Sequence, residues 1–157
     1  MKDFFDLELM NNQEQKLPCV LILDTSTSML GQPIEELKNG LNSFVQGAKD
    51  DSFAYKQVQI MVIKCGGDVE IICDWTDAKS FEIPRVSADG INNLSYAVHL
   101  ASEEIENRKK EFRSNGVSYL KPWVFIMSDG APNDNWQTAA SNFKQLEREG
   151  KFSVFTI

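Results

Sequence analysis

Leu17-Pro18-Cys19-Val20-Leu21-Ile22-Leu23-Asp24-Thr25-Ser26-Thr27-Ser28 is the stretch that decides the fold. Its first seven residues form a nearly continuous apolar run, broken only by Pro18. Its last five are small and polar. A run that short, rich in Val, Ile and Leu and stopped by polar residues, predicts a strand buried on both faces. The loop continues through Met29, Leu30, Gly31 and Gln32, and Pro33 suits the first turn of a helix. Ile34, Leu37, Leu41, Phe44, Val45 and Ala48 then recur at intervals of three and four, which predicts an amphipathic helix over 33–48.

Working outward, Val58–Cys65 reads as a second strand and Gly66-Gly67 as a two-residue hairpin turn, with a returning strand from Val69 to Trp75. Pairing across that turn would set Cys65 opposite Asp68 and Cys73 near Ile60. Residues 76–93 are irregular. Leu94, Ala97, Val98, Ala101, Ile105 and Phe112 predict a helix over 93–112. Trp123–Met127 is another buried strand, ended by Ser128-Asp129-Gly130. Trp136, Ala139, Ala140, Phe143 and Leu146 predict a helix over 135–149, with Gly150 as its stop and Phe152–Ile157 as a last strand. Strands alternating with helices imply an α/β domain of three layers, doubly wound, with a mostly parallel sheet and one antiparallel edge strand. Residues 1–16 are polar and acidic, with an apolar patch at Phe4, Phe5, Leu7 and Leu9, and are expected to be a tail or edge segment. The domain is expected to span 17–157. Such a domain normally continues from its last strand into a covering helix, so a C-terminal truncation is expected.

Composition narrows the function. The chain has 157 residues, one domain's worth, of which 42% are hydrophobic and 25% charged. Disorder, collagen and coiled coil are therefore excluded as descriptions. A formal net charge of -7 argues against a nucleic-acid groove or an anionic membrane surface as partner. No apolar run approaches the roughly 20 residues of a spanning helix. The first residues carry acids where a signal peptide carries bases, so a cytoplasmic location is expected. Cys19, Cys65 and Cys73 are odd in number and lack a CxxC, which predicts buried free thiols in a reducing compartment. With one histidine, His99, in mid-helix, His-rich zinc sites and most imidazole catalysis are excluded.

In open parallel sheets the functional crevice lies at the carboxyl ends of the strands. Two loops qualify, Asp24-Thr25-Ser26-Thr27-Ser28 and Ser128-Asp129-Gly130. Asp24, Ser26 and Ser28 alternate, so a curling loop can turn all three toward one point. With Asp129 they make a hard, all-oxygen donor set, suited to Mg²⁺ or Ca²⁺ rather than zinc. The plainer alternative is that Asp24 and Asp129 only cap helices and satisfy loop amides.

Asp24-x-Ser26-x-Ser28 after one buried strand, with Ser128-Asp129-Gly130 after a later one, resembles the metal-ion-dependent adhesion site of von Willebrand factor A domains. The resemblance runs from about residue 17 to 157 and implies their Rossmann-like fold. Within that superfamily, the LPCVLILDTSTSM opening, Gly31-x-Pro33 and the stretch Lys121–Asp134 resemble the bacterial tellurium-resistance TerY type. The resemblance implies that Ser26 and Ser28 bind Mg²⁺ directly, with Mn²⁺ or Ca²⁺ as alternatives, and that Asp24 and Asp129 hold it mainly through water. A third family loop usually supplies a Thr, and Asn92 stands at that position here. Neutral hydroxyls leave the cation much of its charge, so an open position attracts an Asp or Glu from a partner protein. The implied setting is a bacterial stress response or tellurium-resistance system.

The residues leave rivals to a non-enzymatic binding module. One is a metal-dependent hydrolase or phosphotransferase in the same crevice, with Asp24, Asp129 or Asp134 as base. A haloacid-dehalogenase pattern needs a second acid two residues after Asp24, where Ser26 stands. Another is a structural subunit whose site is vestigial because of Asn92. Trp75, Trp123 and Trp136 are expected in the core or at the crevice rim.

Overall fold

The computed structural model describes residues 15–128 and 136–156. Strand β1, Leu17–Leu23, is buried along its whole length, as its unbroken apolar sequence requires. It is the middle of a five-stranded sheet. Strands β2 (Val58–Lys64), β3 (Glu70–Asp77), β4 (Trp123–Met127) and β5 (Ser153–Thr156) complete it in the order β3-β2-β1-β4-β5. β1 is parallel to both β2 and β4, and β4 to β5, while β3 pairs antiparallel with β2 at the edge. The doubly wound α/β architecture with one antiparallel edge strand is therefore present.

Helix α1, Gln32–Asp50, runs two residues beyond the expected end. It starts after Gly31, whose φ of 85° turns the chain into the helix, and Pro33 occupies its first turn. Ile34, Leu37, Leu41 and Val45 form its buried stripe. They pack on Cys19, Leu21 and Leu23 of β1, together with Phe81 and Val86. A short helix α2, Ser52–Gln57, follows directly and was not signalled by periodicity. The Asp51 carboxylate caps it, accepting from the Phe53 and Ala54 N–H groups at 2.8 and 2.9 Å.

Helix α3, Leu94–Ser114, and helix α4, Trp136–Arg148, cover the opposite face. There Leu94, Ala97, Val98, Ala101, Ile105 and Phe143 pack on Val20, Ile22, Met61, Ile63, Val124 and Ile126. Alternate residues of β1 thus serve two separate cores, which explains why the strand lacks polar residues.

The link between β2 and β3 differs from the two-residue turn that Gly66-Gly67 suggests. Lys64 pairs with Glu70, so residues 65–69 make the connection, and Cys73 faces Val62 rather than Ile60. Gly66 instead bridges to Asn92. A Cβ on Gly66 would lie 2.0 Å from the Thr25 carbonyl oxygen. Glycine is needed there for the close approach of another loop. All three cysteines are free thiols, with Cys19 and Cys65 buried and Cys73 half-buried. Trp123 opens β4 at the end away from the crevice and is 40% exposed. It is therefore a half-open surface residue and belongs to neither the core nor the rim. Trp75 is half-buried against the second core, and the Trp136 side chain lies outside the described residues. Lys16, assigned by sequence to the tail, is buried, pairs with Tyr119 and donates from Nζ to the Lys56 carbonyl at 3.0 Å. Residues 1–14 lie outside the described residues.

Candidate functional site

The site grows from the switch point of the sheet. β1 has β2 on one side and β4 on the other, and the helix that follows β1 lies on the opposite face of the sheet from the helix that follows β4. Leu23 pairs with Met127, and the Asp24 N–H extends the ladder by donating to the Met127 carbonyl at 2.9 Å. Asp24 and Ser128 consequently emerge side by side. Ser128 Oγ donates to Asp24 Oδ2 at 2.7 Å.

The other carboxylate oxygen organises the loop. Asp24 Oδ1 accepts from the Ser26 N–H at 3.0 Å and from Ser26 Oγ at 2.6 Å. The plain reading of Asp24 as a loop-amide acceptor is thus correct in part, but one amide accounts for only one of its three bonds. Ser26 spends its hydroxyl proton on Asp24. The 3.0 Å contact between Ser26 Oγ and Ser28 Oγ therefore has Ser28 as donor. Asp24 is 2% exposed and Ser26 is buried, while Ser28 is exposed at the mouth. A one-turn 3₁₀ segment, Thr27–Met29, curls the two hydroxyls to the same side.

Two further loops brace this turn. The Gly66 N–H donates to Thr25 Oγ1 at 3.0 Å, and the Asp89 N–H to the Thr25 carbonyl at 2.7 Å. The Gly90 carbonyl accepts from the Thr27 N–H at 2.8 Å and from Thr27 Oγ1 at 3.1 Å. Gly90 has a φ of 74°, and a Cβ there would meet the Gly67 Cα at 2.4 Å. Thr25, Gly66, Gly90 and Ser128 are structural members of the site that sequence reasoning did not single out as such. The signal available for the glycines was a Gly-Gly pair at a parallel strand's carboxyl end, where a neighbouring loop must cross.

Asn92 is buried on this third loop, bridged to Gly66. The Cys65 thiol lies 3.9 Å from Asn92 Oδ1, a weak sulfur contact. The N-cap position of α3 is Asn93, which makes no side-chain capping bond. Burial pushes the Cys65 thiol up to about 12, and the nearby Asp24 charge adds to the effect. Asp24, Ser26, Ser28 and the loop of Asn92 are thus brought together. Asp129 and Asp134 lie outside the described residues. His99 is exposed on α3 beside Glu103, remote in role from the crevice.

The donor set fits a hard divalent cation. Mg²⁺ holds oxygen ligands at about 2.1 Å in octahedral geometry, so adjacent ligand oxygens lie about 3.0 Å apart. Ser26 Oγ and Ser28 Oγ stand at that spacing, with the Asp24 carboxylate directly behind. Among the described residues no group of three or more His, Cys, Asp or Glu side chains gathers as a metal cluster. A site built on two hydroxyls and an acid would not form one.

A hydroxyl-lined crevice at the switch point of a doubly wound sheet defines a class of domain, and sequence comparison agrees. The chain belongs to the von Willebrand factor type A domain family, whose profile matches residues 19–131. No curated relative matches the sequence. Among solved structures it is similar to the ArnB paralog VWA2 from Sulfolobus acidocaldarius, at 20% identity and a TM-score of 0.53, covering 78% of this chain and 29% of that one. It is also similar to the pilus adhesin SpaC from Lactobacillus rhamnosus GG in an open conformation, at 16% identity and a TM-score of 0.59, covering 78% and 16%. A variant of the PilB minor pilin from Streptococcus sanguinis aligns at 8% identity and a TM-score of 0.54, covering 79% and 36%. The chain thus spans well under half the length of each. No helix among the described residues is long and apolar enough to cross a membrane.

Proposed function

We propose that this domain is a non-enzymatic, divalent-metal-dependent protein-binding module. Ser26 and Ser28 would hold Mg²⁺ directly, with Mn²⁺ or Ca²⁺ as substitutes. Asp24 and Asp129 would act chiefly through water, and Asn92 stands near the position of the usual Thr. A partner protein would complete the shell with an Asp or Glu. The observation that carries the reading is the 3.0 Å pair of serine hydroxyls backed by a buried carboxylate. Pilus proteins among the structural neighbours support binding rather than turnover. The resemblance of the LPCVLILDTSTSM stretch to the TerY type supports a bacterial stress or tellurium-resistance setting in the cytoplasm.

The bound metal supplies an electrophilic position for a partner carboxylate. The chain's own residues do the rest. Asp24 takes the Ser26 proton in a hydrogen bond and so turns the Ser26 lone pairs outward. Ser128 fixes the second carboxylate oxygen, which keeps Asp24 from swinging into the crevice to occupy a ligand position itself. Calorimetric titration of Mg²⁺ into the wild type and into Ser26→Ala tests this. Saturable binding in the wild type, lost in the variant, is expected. Asp129→Ala should likewise lose binding without unfolding. A folded wild type that takes up no Mg²⁺ at millimolar concentration would sink the proposal.

A further inference from the structure

The loop Asp24-Thr25-Ser26-Thr27-Ser28 divides its side chains between two tasks. Asp24, Ser26 and Ser28 are joined to one another by hydrogen bonds. Thr25 and Thr27, at the positions between, bond to neighbouring loops instead. Thr25 Oγ1 accepts from the Gly66 N–H at 3.0 Å. Thr27 donates twice to one atom, the Gly90 carbonyl oxygen, from its N–H at 2.8 Å and from Oγ1 at 3.1 Å. Gly90 is itself pinned. A Cβ on it would lie 2.4 Å from the Gly67 Cα. On either side of it the Asp89 N–H donates to the Thr25 carbonyl at 2.7 Å and the Ile91 carbonyl accepts from the Gly67 N–H at 3.1 Å. The acceptor of Thr27 is therefore a fixed point, 63 residues away in the chain.

The two serine hydroxyls are held differently. Asp24 Oδ1 holds Ser26 from behind, through both its N–H and its hydroxyl. Ser28 is exposed, and the turn that carries it, Thr27–Met29, is tied to the third loop through Thr27. A bound ion would read that tie. Mg²⁺ demands near-ideal octahedral geometry with oxygens at about 2.1 Å, whereas Ca²⁺ takes oxygens at about 2.3–2.6 Å in flexible geometry. Hydroxyls locked 3.0 Å apart suit the smaller ion, and hydroxyls free to spread suit either.

We propose that Thr27 is a positioning residue that sets the preference of the site for Mg²⁺ over Ca²⁺. It acts through Ser28, by fastening the turn to the Gly90 carbonyl, and touches no ion itself. This rests on the metal-dependent reading above and goes beyond it, because that reading accepts either ion.

Calorimetric titration of Mg²⁺ and, separately, of Ca²⁺ into the full chain tests the inference in the wild type, Thr27→Val and Thr27→Ser. Valine keeps the shape and the backbone N–H but removes the hydroxyl, and serine keeps the hydroxyl. In Thr27→Val the Mg²⁺ affinity should fall about fivefold, the effect of one neutral hydrogen bond, and the Ca²⁺ affinity by less than about twofold. Thr27→Ser should keep the wild-type ratio. Thr27 is exposed, so the metal-free melting temperature of both variants should stay close to that of the wild type. In metal-free Thr27→Val, amide exchange should quicken at Met29 and Leu30, whose N–H groups close the turn, and not at Gly67 or Asp89, which hold the fixed point. Equal losses for the two ions, or no loss for either, overturn the role of Thr27 and leave the metal reading standing. So does a Thr27→Ser that behaves like Thr27→Val. A folded wild type that binds neither ion overturns the metal reading, and this inference with it.

Discussion

Two polar clusters are buried in this domain, and they handle charge in opposite ways. Around Arg108 the guanidinium is closed in by its own partners. It donates to Glu111 at 2.6 Å and to Gln59 Oε1 at 3.1 and 2.9 Å, and lies 4.8 Å from the Phe112 ring centre and 6.0 Å from that of Trp75. Around Asp24 the side-chain carboxylate's donors among the described residues are one amide and two serine hydroxyls, all neutral. The first cluster contains its counter-charge and joins α3 to the sheet. The second surrounds a buried acid with dipoles and leaves its mouth at Ser28 exposed. A buried charge with an internal partner is an architectural element, and removing one partner is costly. A buried acid held by hydroxyls at the mouth of a crevice is a place where a cation gains most.

The sharpest way to break that contrast is to exchange the consequences of mutation. Arg108→Ala should destabilise the fold by about 3 kcal/mol, because it strands buried Gln59 and removes the packing between Trp75 and Phe112. Chemical denaturation measures the loss, and Mg²⁺ affinity of the folded variant should be unchanged. A change in metal affinity would mean the clusters are coupled.

Asp24→Asn should show the reverse pattern. Mg²⁺ at 100 times its dissociation constant should stabilise the wild type by about 2.7 kcal/mol, and this gain should vanish in the variant. Without metal the variant should lose only about 1 kcal/mol, since an amide oxygen still accepts from Ser26. Melting curves with and without Mg²⁺ separate the two effects. A metal-induced rise that survives Asp24→Asn would remove Asp24 from the site.

Asn92 tests the border between the architectural and the binding role. Asn92→Thr restores a hydroxyl at the family's usual position and should tighten Mg²⁺ up to about tenfold, or roughly 1.4 kcal/mol. Asn92→Ala should weaken it or leave it unchanged. Isothermal titration decides, and unaltered affinity in both variants, with stability lost in Asn92→Ala, would make Asn92 purely structural.

The smallest effect concerns the thiols. Cys19 is fully buried and burial raises its pKa, while Cys65 is pushed up to about 12, so neither offers thiolate near neutral pH. Cys73, half-buried on the edge strand, should be alkylated first. Mass spectrometry after brief iodoacetamide treatment should find one modified cysteine. Early modification of Cys65 would show that the crevice opens on that timescale.

Much of this was legible in the sequence because local pattern and tertiary need coincide. The unbroken apolar run at 17–23 required a strand covered on both faces, and the periodicity of Ile34, Leu37, Leu41 and Val45 required a helix on one of them. Parallel strands bring their carboxyl ends to one edge of the sheet, so the loops after β1 and β4 could be expected at the same end; that β4 lies directly beside β1 and makes Asp24 and Ser128 neighbours was decided by the tertiary structure. Short α2 was missed, because six residues give no measurable period and its cap at Asp51 is a single local hydrogen-bonding choice. Gly66-Gly67 was misread for a different reason. A glycine's own neighbours in sequence report that it can turn, but not that another loop must pass over it. That demand comes from the Thr25 carbonyl and from Gly90, 41 and 24 residues away in the chain. Sequence determined which residues could form strands, helices and a hard-oxygen donor set. Only the tertiary structure decided which glycines are compelled by close approach and which serines hold Asp24. Those depend on distances between segments that no local pattern encodes.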